Sequence, residues 1–420
     1  MKTKSSLPLN RINSKEEGIN RYFNKRTSAL REQCKESSPQ MVKKDACTKQ
    51  VTWHLKDINS EEWIPLSQLR DTLEPSTLCT NVPRLAKDKE YAEGVLQAWK
   101  REFKTSSKRE EVLPEMSMGA TLELKIPNDG TILHNYIVVP ESLLLNENSN
   151  QDTIKAKLPG VLLFHTGAGP HDVFLRWKAD SLVSSMNKNQ RGCIVIIVDL
   201  LSDSTGWSWS SDRTKYNSAR KELLMRNNKG VRVKLRQRIC AALKLLQKLD
   251  EVDEKKIGAL GWCLGGHSIF ELGVMHFPGV CALSSFHGVF DGNCNVRDRK
   301  KDITNRESVT TTVDVMIDGS VTPIQGNEKQ RKEEQNKKTQ VLICNGKDDP
   351  FVSSKDLDTC ISVLRAIDGC TVKKIEFEGV KHGFTNPAQD SNPSLAFEYN
   401  EKAAIKSWHE ATQLLLKVFE

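Results

Sequence analysis

Cys263 lies in the stretch "KIGALGWCLGGHSIFELG" (256–273), between Gly261 and Gly265, in a Gly-x-Cys-x-Gly pattern. A thiol so placed can act as a nucleophile if its pKa is lowered and a neighbouring group takes and returns a proton. The apolar run "KIGALGW" ends at the cysteine, and an apolar helical run begins just after it. A sharp strand-to-helix turn strains the backbone of its central residue and demands small neighbours, which Gly261, Gly265 and Gly266 supply. The thiol would then stand at a helix N-terminus, whose partial positive charge favours the thiolate, with the Leu264 N–H directed at a developing oxyanion. Alone the pattern is weak. Small residues gather in tight turns of every kind, and by itself it points to structure sooner than to catalysis.

A nucleophilic thiol needs an imidazole, and the imidazole needs an orienting acid. On an open α/β sheet these follow the nucleophile in the order acid, histidine, each on a loop after a later strand. "QVLICNGKDDPFVSS" offers Asp348 and Asp349, and "VKKIEFEGVKHGFTNP" offers His382. Spacing alone does not choose between the two acids, and Asp349 also suits a cap for a helix beginning near Ser353. His165, His171 and Asp172 share a loop but not a metal-ligand spacing, and read as a polar loop. His267 and His276 fall on the helix after Cys263 and read as packed or solvent-facing.

Elements that could position these groups follow from the hydrophobic pattern. "ATLELKIPNDGTILHNYIVVP" has two alternating runs joined by Asn128-Asp129-Gly130, a hairpin signal. Continuous apolar runs follow at 160–165, 193–201, 256–263, 279–287, 340–346 and 372–379, as expected of parallel strands covered on both faces. Between them the periodicity predicts helices near 172–186, 230–249, 265–276, 354–366 and 395–418. The second is the clearest, with Leu235, Ile239, Ala242, Leu243, Leu246 and Leu249 on one face. The fold class is α/β, a mostly parallel central sheet flanked by helices. Residues 202–228 read as a long connection that could build a lid or pocket wall, where Trp207 and Trp209 offer pocket-lining rings. Residues 295–339, dense in both charge signs, read as a surface insertion.

Residues 1–110 form an N-terminal extension, largely disordered, with a short ordered piece at "EEWIPLSQL" and a helix near 86–103; the remaining 111–420 form the α/β domain. The extension holds 22 Lys and Arg against 15 Asp and Glu, so it carries seven of the eight net positive charges. The α/β domain therefore has no basic excess for a nucleic-acid partner, and the extension reads as a solvated tail. Eleven cysteines, odd in number and without a C-x-x-C pair, fit a reducing compartment. No run of eighteen apolar residues spans a membrane, and the basic start lacks the apolar core of a secretion signal. A cytoplasmic location is the default. An organellar transit peptide is the other option, against which Glu16 and Glu17 count.

From about Ala120 to Glu420 the chain resembles the dienelactone hydrolase family of α/β hydrolases (carboxymethylenebutenolidase-like proteins). "GVLLFHTGAGPHDVFLRWKADSLV", "IGALGWCLGG", "LSSFHG", "NGKDDPFV" and "GVKHGFTNP" carry the likeness. It implies a Cys–His–Asp triad of Cys263, His382 and Asp349, since Gly346 and Val352 flank Asp349 as in the family. It also implies a second oxyanion N–H at Gly167. Two departures stand out. Thr166 follows His165 where many members carry a glutamate that contacts the resting thiol, so these two residues bear on how Cys263 is activated, direct proton transfer to His382 being the simpler route. Asn386 stands where the namesake enzymes carry a substrate-binding arginine, which argues against dienelactone itself. The expected function is hydrolysis of a small ester, lactone or thioester without metal or organic cofactor. The alternative is a non-catalytic binding or scaffold protein recruited through its basic extension.

Overall fold

The computed structural model describes residues 51–54, 73–75, 117–126, 130–145, 157–185, 192–202, 207, 213–228, 230–291, 338–392 and 394–420. Ten strands form one sheet: β1 (Val51–His54), β2 (Glu74–Pro75), β3 (Ser117–Lys125), β4 (Ile132–Pro140), β5 (Leu158–Phe164), β6 (Ile194–Val198), β7 (Val252–Trp262), β8 (Val280–Phe286), β9 (Thr339–Gly346) and β10 (Cys370–Phe377). Their order is β1-β3-β4-β6-β5-β7-β8-β9-β10, with β2 on β3. The hairpin expected from Asn128-Asp129-Gly130 is β3–β4, and Gly130 turns it with φ +70°. From β6 through β10 every pairing is parallel.

The strands are covered on both faces because their side chains alternate between two apolar layers. Leu162 and Phe164 of β5 enter one layer, Val161 and Leu163 the other; in β6, Ile194, Ile196 and Val198 oppose Val195 and Ile197. All are buried, which is why the sequence shows continuous rather than alternating apolar runs. After the one-turn α1 (Ser142–Leu145), α2 (Val173–Ser185) covers the second layer, and α3 (Arg213–Leu224) precedes α4 (Val233–Lys248). α4, α5 (Gly265–Met275) and α6 (Ser354–Arg365) cover the first layer; α7 (Glu401–Phe419) joins α2 on the second. The six positions expected on one face, five in α4 and Leu249 just after it, are all buried.

Three differences from the sequence expectations have local causes. Val51–His54 pairs in parallel with β3 and Glu74–Pro75 antiparallel, so two pieces of the segment assigned to the extension belong to the sheet. Within the connection at 202–228, α3 forms a twelve-residue helix, a weakly amphipathic stretch whose polar residues hid the period. The last helix begins at Glu401, not near 395, because Asn400 accepts the Ala403 N–H as its cap. The expected helix near 86–103, the "EEWIPLSQL" piece, Trp209 and nearly all of the 295–339 insertion lie outside the described residues. Among the described residues, no helix is long and apolar enough to cross a membrane.

Parallel strands place all their carboxyl ends along one edge. Phe164 pairs with Gly261, Trp262 with Phe286, Phe286 with Cys344, and Gly346 with Phe377. The loops leaving β5, β7, β8, β9 and β10 therefore start in one row. Trp262 anchors the middle of that row, stacked on Phe286 at 4.9 Å and edge-on to Phe174 at 5.8 Å. Trp262→Ala is expected to lower the unfolding free energy by about 3–5 kcal/mol, measured by urea denaturation; a loss under about 1 kcal/mol would show that this aromatic cluster does not hold the row.

Candidate active site

The β7–α5 turn puts Cys263 in a left-handed backbone conformation, φ +51°, which costs a non-glycine residue about 1–3 kcal/mol. The surroundings hold it there. Its N–H donates to Phe286 O at 3.3 Å, and its carbonyl accepts the Gly266 and Val289 N–H groups at 3.0 and 2.8 Å. A Cβ on Gly261 would lie 2.5 Å from Gly265 O, and one on Gly265 only 2.4 Å from Phe164 O, so neither position admits a side chain. This is the geometry of a nucleophile elbow.

The acid and histidine loops are stapled to one another. The Lys347 and Asp348 N–H groups donate to Phe377 O and Val380 O, at 2.9 and 3.1 Å. Asp349 is buried, and its Oδ2 accepts from His382 Nδ1 at 2.7 Å; the Asp348 side chain is exposed. Asp349 is not the cap of α6, a task that falls to Ser353 Oγ, which accepts the Asp356 N–H at 3.1 Å. Its other oxygen accepts the Phe351 N–H at 2.9 Å, so both carboxylate oxygens are held.

His382 is also hydrogen-bonded to the Cys263 thiol. Burial works against charge on both groups, yet each stabilises the other. At Cys263 the penalty of burial is outweighed by the His382 imidazolium, its hydrogen bond and the Leu264 N–H, so the thiol pKa is lowered. At His382 burial is outweighed by the Cys263 thiolate and the Asp349 carboxylate, so the imidazole pKa is raised. Directions of this kind favour a thiolate–imidazolium pair in the resting site. Burial without such a partner pushes Cys240 and Cys344 up to about 12.

The loop leaving β5 is built by the other residues singled out from the sequence. His165 is fully buried, and burial lowers its pKa. Its Nδ1 contacts Thr166 O, and its Nε2 accepts the Leu200 N–H at 2.9 Å. It ties the loop to the end of β6 and has no ring nitrogen left for a substrate. Thr166 Oγ1 accepts the Ala168 N–H at 3.1 Å, shaping the turn rather than replacing a carboxylate. No protein oxygen among the described residues accepts the Gly167 N–H. Trp207 is buried and not a pocket-lining ring; its indole N–H donates to Gly167 O at 3.0 Å. Tyr216 of α3 packs where a Gly167 side chain would be. Trp207 and Tyr216 thus clamp the amide expected to face the oxyanion. His171 and Asp172 are also engaged locally, with Arg176 and the Phe174 N–H.

Four residues near the triad were not singled out from the sequence. His287, also left-handed (φ +40°), packs edge-on to His382 at 4.8 Å and contacts Thr385 Oγ1 at 3.0 Å. Burial first, then the His382 charge, hold its pKa well below the ordinary value, so it is neutral. Phe351 and Phe397 flank His382 at 5.0 and 5.3 Å. Arg220 of α3 binds Asp291, to which His267 also bonds, and against burial, negative charge at Asp291, and to a smaller extent at Cys263, helps to raise its pKa. A buried loop histidine, single aromatics and a helix charge leave no period or spacing in a sequence, so nothing marked them.

The signs fix a pH dependence. A lowered thiol pKa means that the Cys263 thiolate appears below the ordinary thiol range as pH rises. A raised imidazole pKa means that His382 keeps its proton through neutral pH. Alkylation of Cys263 by iodoacetamide should therefore titrate with a midpoint below the usual thiol value. In His382→Ala the midpoint should move above it, since burial then acts unopposed. Coincident midpoints in the two proteins would show that the pair is not formed.

A sequence profile described as the dienelactone hydrolase family matches residues 149–419. A curated relative, the uncharacterized protein K02A2.1 of Caenorhabditis elegans, is 25% identical over 186 residues, 44% of this chain and 95% of that protein. The solved structure named m3DLH superposes with a TM-score of 0.50 at 20% identity, covering 72% of this chain and 99% of its own. The dienelactone hydrolase-like promiscuous phosphotriesterase P91 from metagenomic libraries gives 0.49 at 19% identity, with the same two coverages. At 20% identity the likeness to m3DLH speaks for the fold alone, an α/β hydrolase. The profile reaches further: it spans well over half of the sequence, from the β5 loop through the elbow to α7, and on that ground the chain belongs to the dienelactone hydrolase family.

Proposed function

We propose that this protein is a cysteine-dependent hydrolase of small esters, lactones or thioesters. The observation that carries the reading is the linked set of Asp349, His382 at 2.7 Å and the lowered-pKa thiol of Cys263 at a strained elbow. The thiolate attacks the acyl carbon, forming a C–S bond, and the carbonyl oxygen becomes an oxyanion. The N–H groups of Leu264 and Gly167 donate to it. His382, already an imidazolium, gives its proton to the leaving oxygen or sulfur as that bond breaks, leaving a thioester on Cys263. Water then attacks while neutral His382 takes one of its protons; collapse expels the thiolate and frees the carboxylic acid. Asp349 keeps Nδ1 protonated and offsets the charge on the ring throughout.

This cycle needs no carboxylate in place of Thr166. The resting thiolate is held by His382 and by the Leu264 N–H, which supports the simpler activation route. Among the described residues no group of three or more His, Cys, Asp or Glu side chains has the arrangement to hold a metal ion. The reaction class, the substrate range and the roles of these residues rest on the same test. Hydrolysis of 4-nitrophenyl acetate, a small lactone and an alkyl thioester is compared for the wild type, Cys263→Ala and His382→Ala. Each variant is expected to lose on the order of 10³-fold or more in kcat/KM. Equal rates in wild type and Cys263→Ala for all three would sink the reading and leave a binding module on the same fold.

A further inference from the structure

The surface around His382 points to where the leaving group goes. One ring nitrogen is taken by Asp349, and the buried side of the ring is covered by His287. Phe351 and Phe397 pack edge-on or nearly so against the same ring, and against each other at 5.3 Å. Phe351 is 46% exposed. Of the four large apolar side chains exposed among the described residues, it is the one whose ring packs on His382.

Both rings are held by the triad's own backbone. The Phe351 N–H donates to Asp349 Oδ1 at 2.9 Å. His382 pairs with Phe397 in an isolated parallel bridge: its N–H donates to Ala396 O, and its carbonyl accepts the Glu398 N–H, both at 3.2 Å. Leu395, 87% exposed, begins this same turn. The rings are thus fixed relative to the proton donor rather than carried on a free loop. In the cycle above, the atom that leaves must come within hydrogen-bond reach of His382 Nε2. With the Phe351 ring centroid 5.0 Å from that of His382, a substituent on that atom comes within reach of the phenyl.

We infer that Phe351 and Phe397 form a leaving-group subsite, and that the substrates are esters or thioesters whose alcohol or thiol portion is apolar, alkyl or aryl. The inference rests on the hydrolase reading and adds to it the chemistry of one half of the substrate. The acyl half is bonded to Cys263 during turnover and does not have to contact these rings. Selectivity should therefore follow the leaving group.

S-Alkyl thioacetates from ethyl to pentyl test this, because their thiols differ little in acidity while apolar size grows. For this series kcat/KM reports acylation, the step that expels the thiol. The wild type should gain about two- to threefold per methylene, on the order of tenfold across the series. Phe351→Ala should flatten that gain to under about threefold, Phe397→Ala should reduce it, and Phe351→Leu should keep most of it. A matched acyl series, S-ethyl thioacetate to thiopentanoate, should respond to chain length alike in all four proteins. Unchanged iodoacetamide reactivity of Cys263 would confirm that Phe351→Ala leaves the triad intact. A flat wild-type series, or a loss in Phe351→Ala that is equal for ethyl and pentyl, overturns the subsite. If 4-nitrophenyl acetate is still turned over in a Cys263-dependent way, the hydrolase reading survives that failure; if wild type and Cys263→Ala are alike on every substrate, both fall.

Discussion

Everything in this site depends on one strained residue. Cys263 sits at φ +51°, where a side chain other than hydrogen is disfavoured, and it does so at the end of a buried strand. The conformation lifts the thiol out of the sheet toward the row of strand ends and aligns it with the start of α5. The strain of about 1–3 kcal/mol persists only because the surroundings over-determine it. Three backbone hydrogen bonds to neighbouring segments fix the peptide units on both sides, and two glycines let β5 and α5 approach closer than any Cβ would allow. Relaxing the turn would separate the thiol from His382 and remove the charge partner that opposes burial.

That electrostatic arrangement sets one thiol, whose pKa is lowered, apart from several whose pKa is raised. Cys193, Cys240, Cys344 and Cys370 all have raised pKa values: burial meets no opposing charge at Cys193 and Cys370, and at Cys240 and Cys344 it outweighs the nearby lysines and Arg236. Cys263 meets the same desolvation but faces an imidazolium and an amide N–H, and its pKa falls instead. The difference lies in partners, not in depth. The partners in turn depend on the parallel sheet, which brings loops 33 residues apart in sequence, at Asp349 and His382, to 2.7 Å.

Much of this was legible in the sequence, and for identifiable reasons. Buried parallel strands write themselves as apolar runs, so β5 to β10 were visible, as was the α4 face. The order of Cys263, the Asp348–Asp349 pair and His382 at the ends of later strands announced that these groups would converge, and the family resemblance singled out Asp349. What stayed hidden acts through contacts that leave no period. α3 carries few apolar residues, and its task is to lay Tyr216 over Gly167 and Arg220 beside Asp291. His165, Thr166 and Trp207 were visible as chemistry-bearing residues, but their hydrogen bonds go to backbone groups, which only coordinates reveal. The early start expected for the final helix hid the turn at 395–400, the very segment that carries Phe397 to His382.

The two loops that shape the site contribute in different ways. On the β5 side, buried groups of every polarity lock a backbone: an imidazole, a hydroxyl and an indole all bond to main-chain atoms of residues 166–168 or 200. Such a loop presents an amide in a fixed place and discriminates little, because any acyl oxygen can accept from an N–H. On the β9 and β10 side, backbone bonds lock the loops and leave side chains free to face outward, with Phe351 exposed beside His382. Under the proposed cycle, a fixed amide would serve the part of the reaction that all acyl substrates share, the oxyanion, and a fixed ring beside His382 the part in which they differ, the group that leaves. On that reading, generic chemistry and selectivity are divided between opposite ends of the same row of strands.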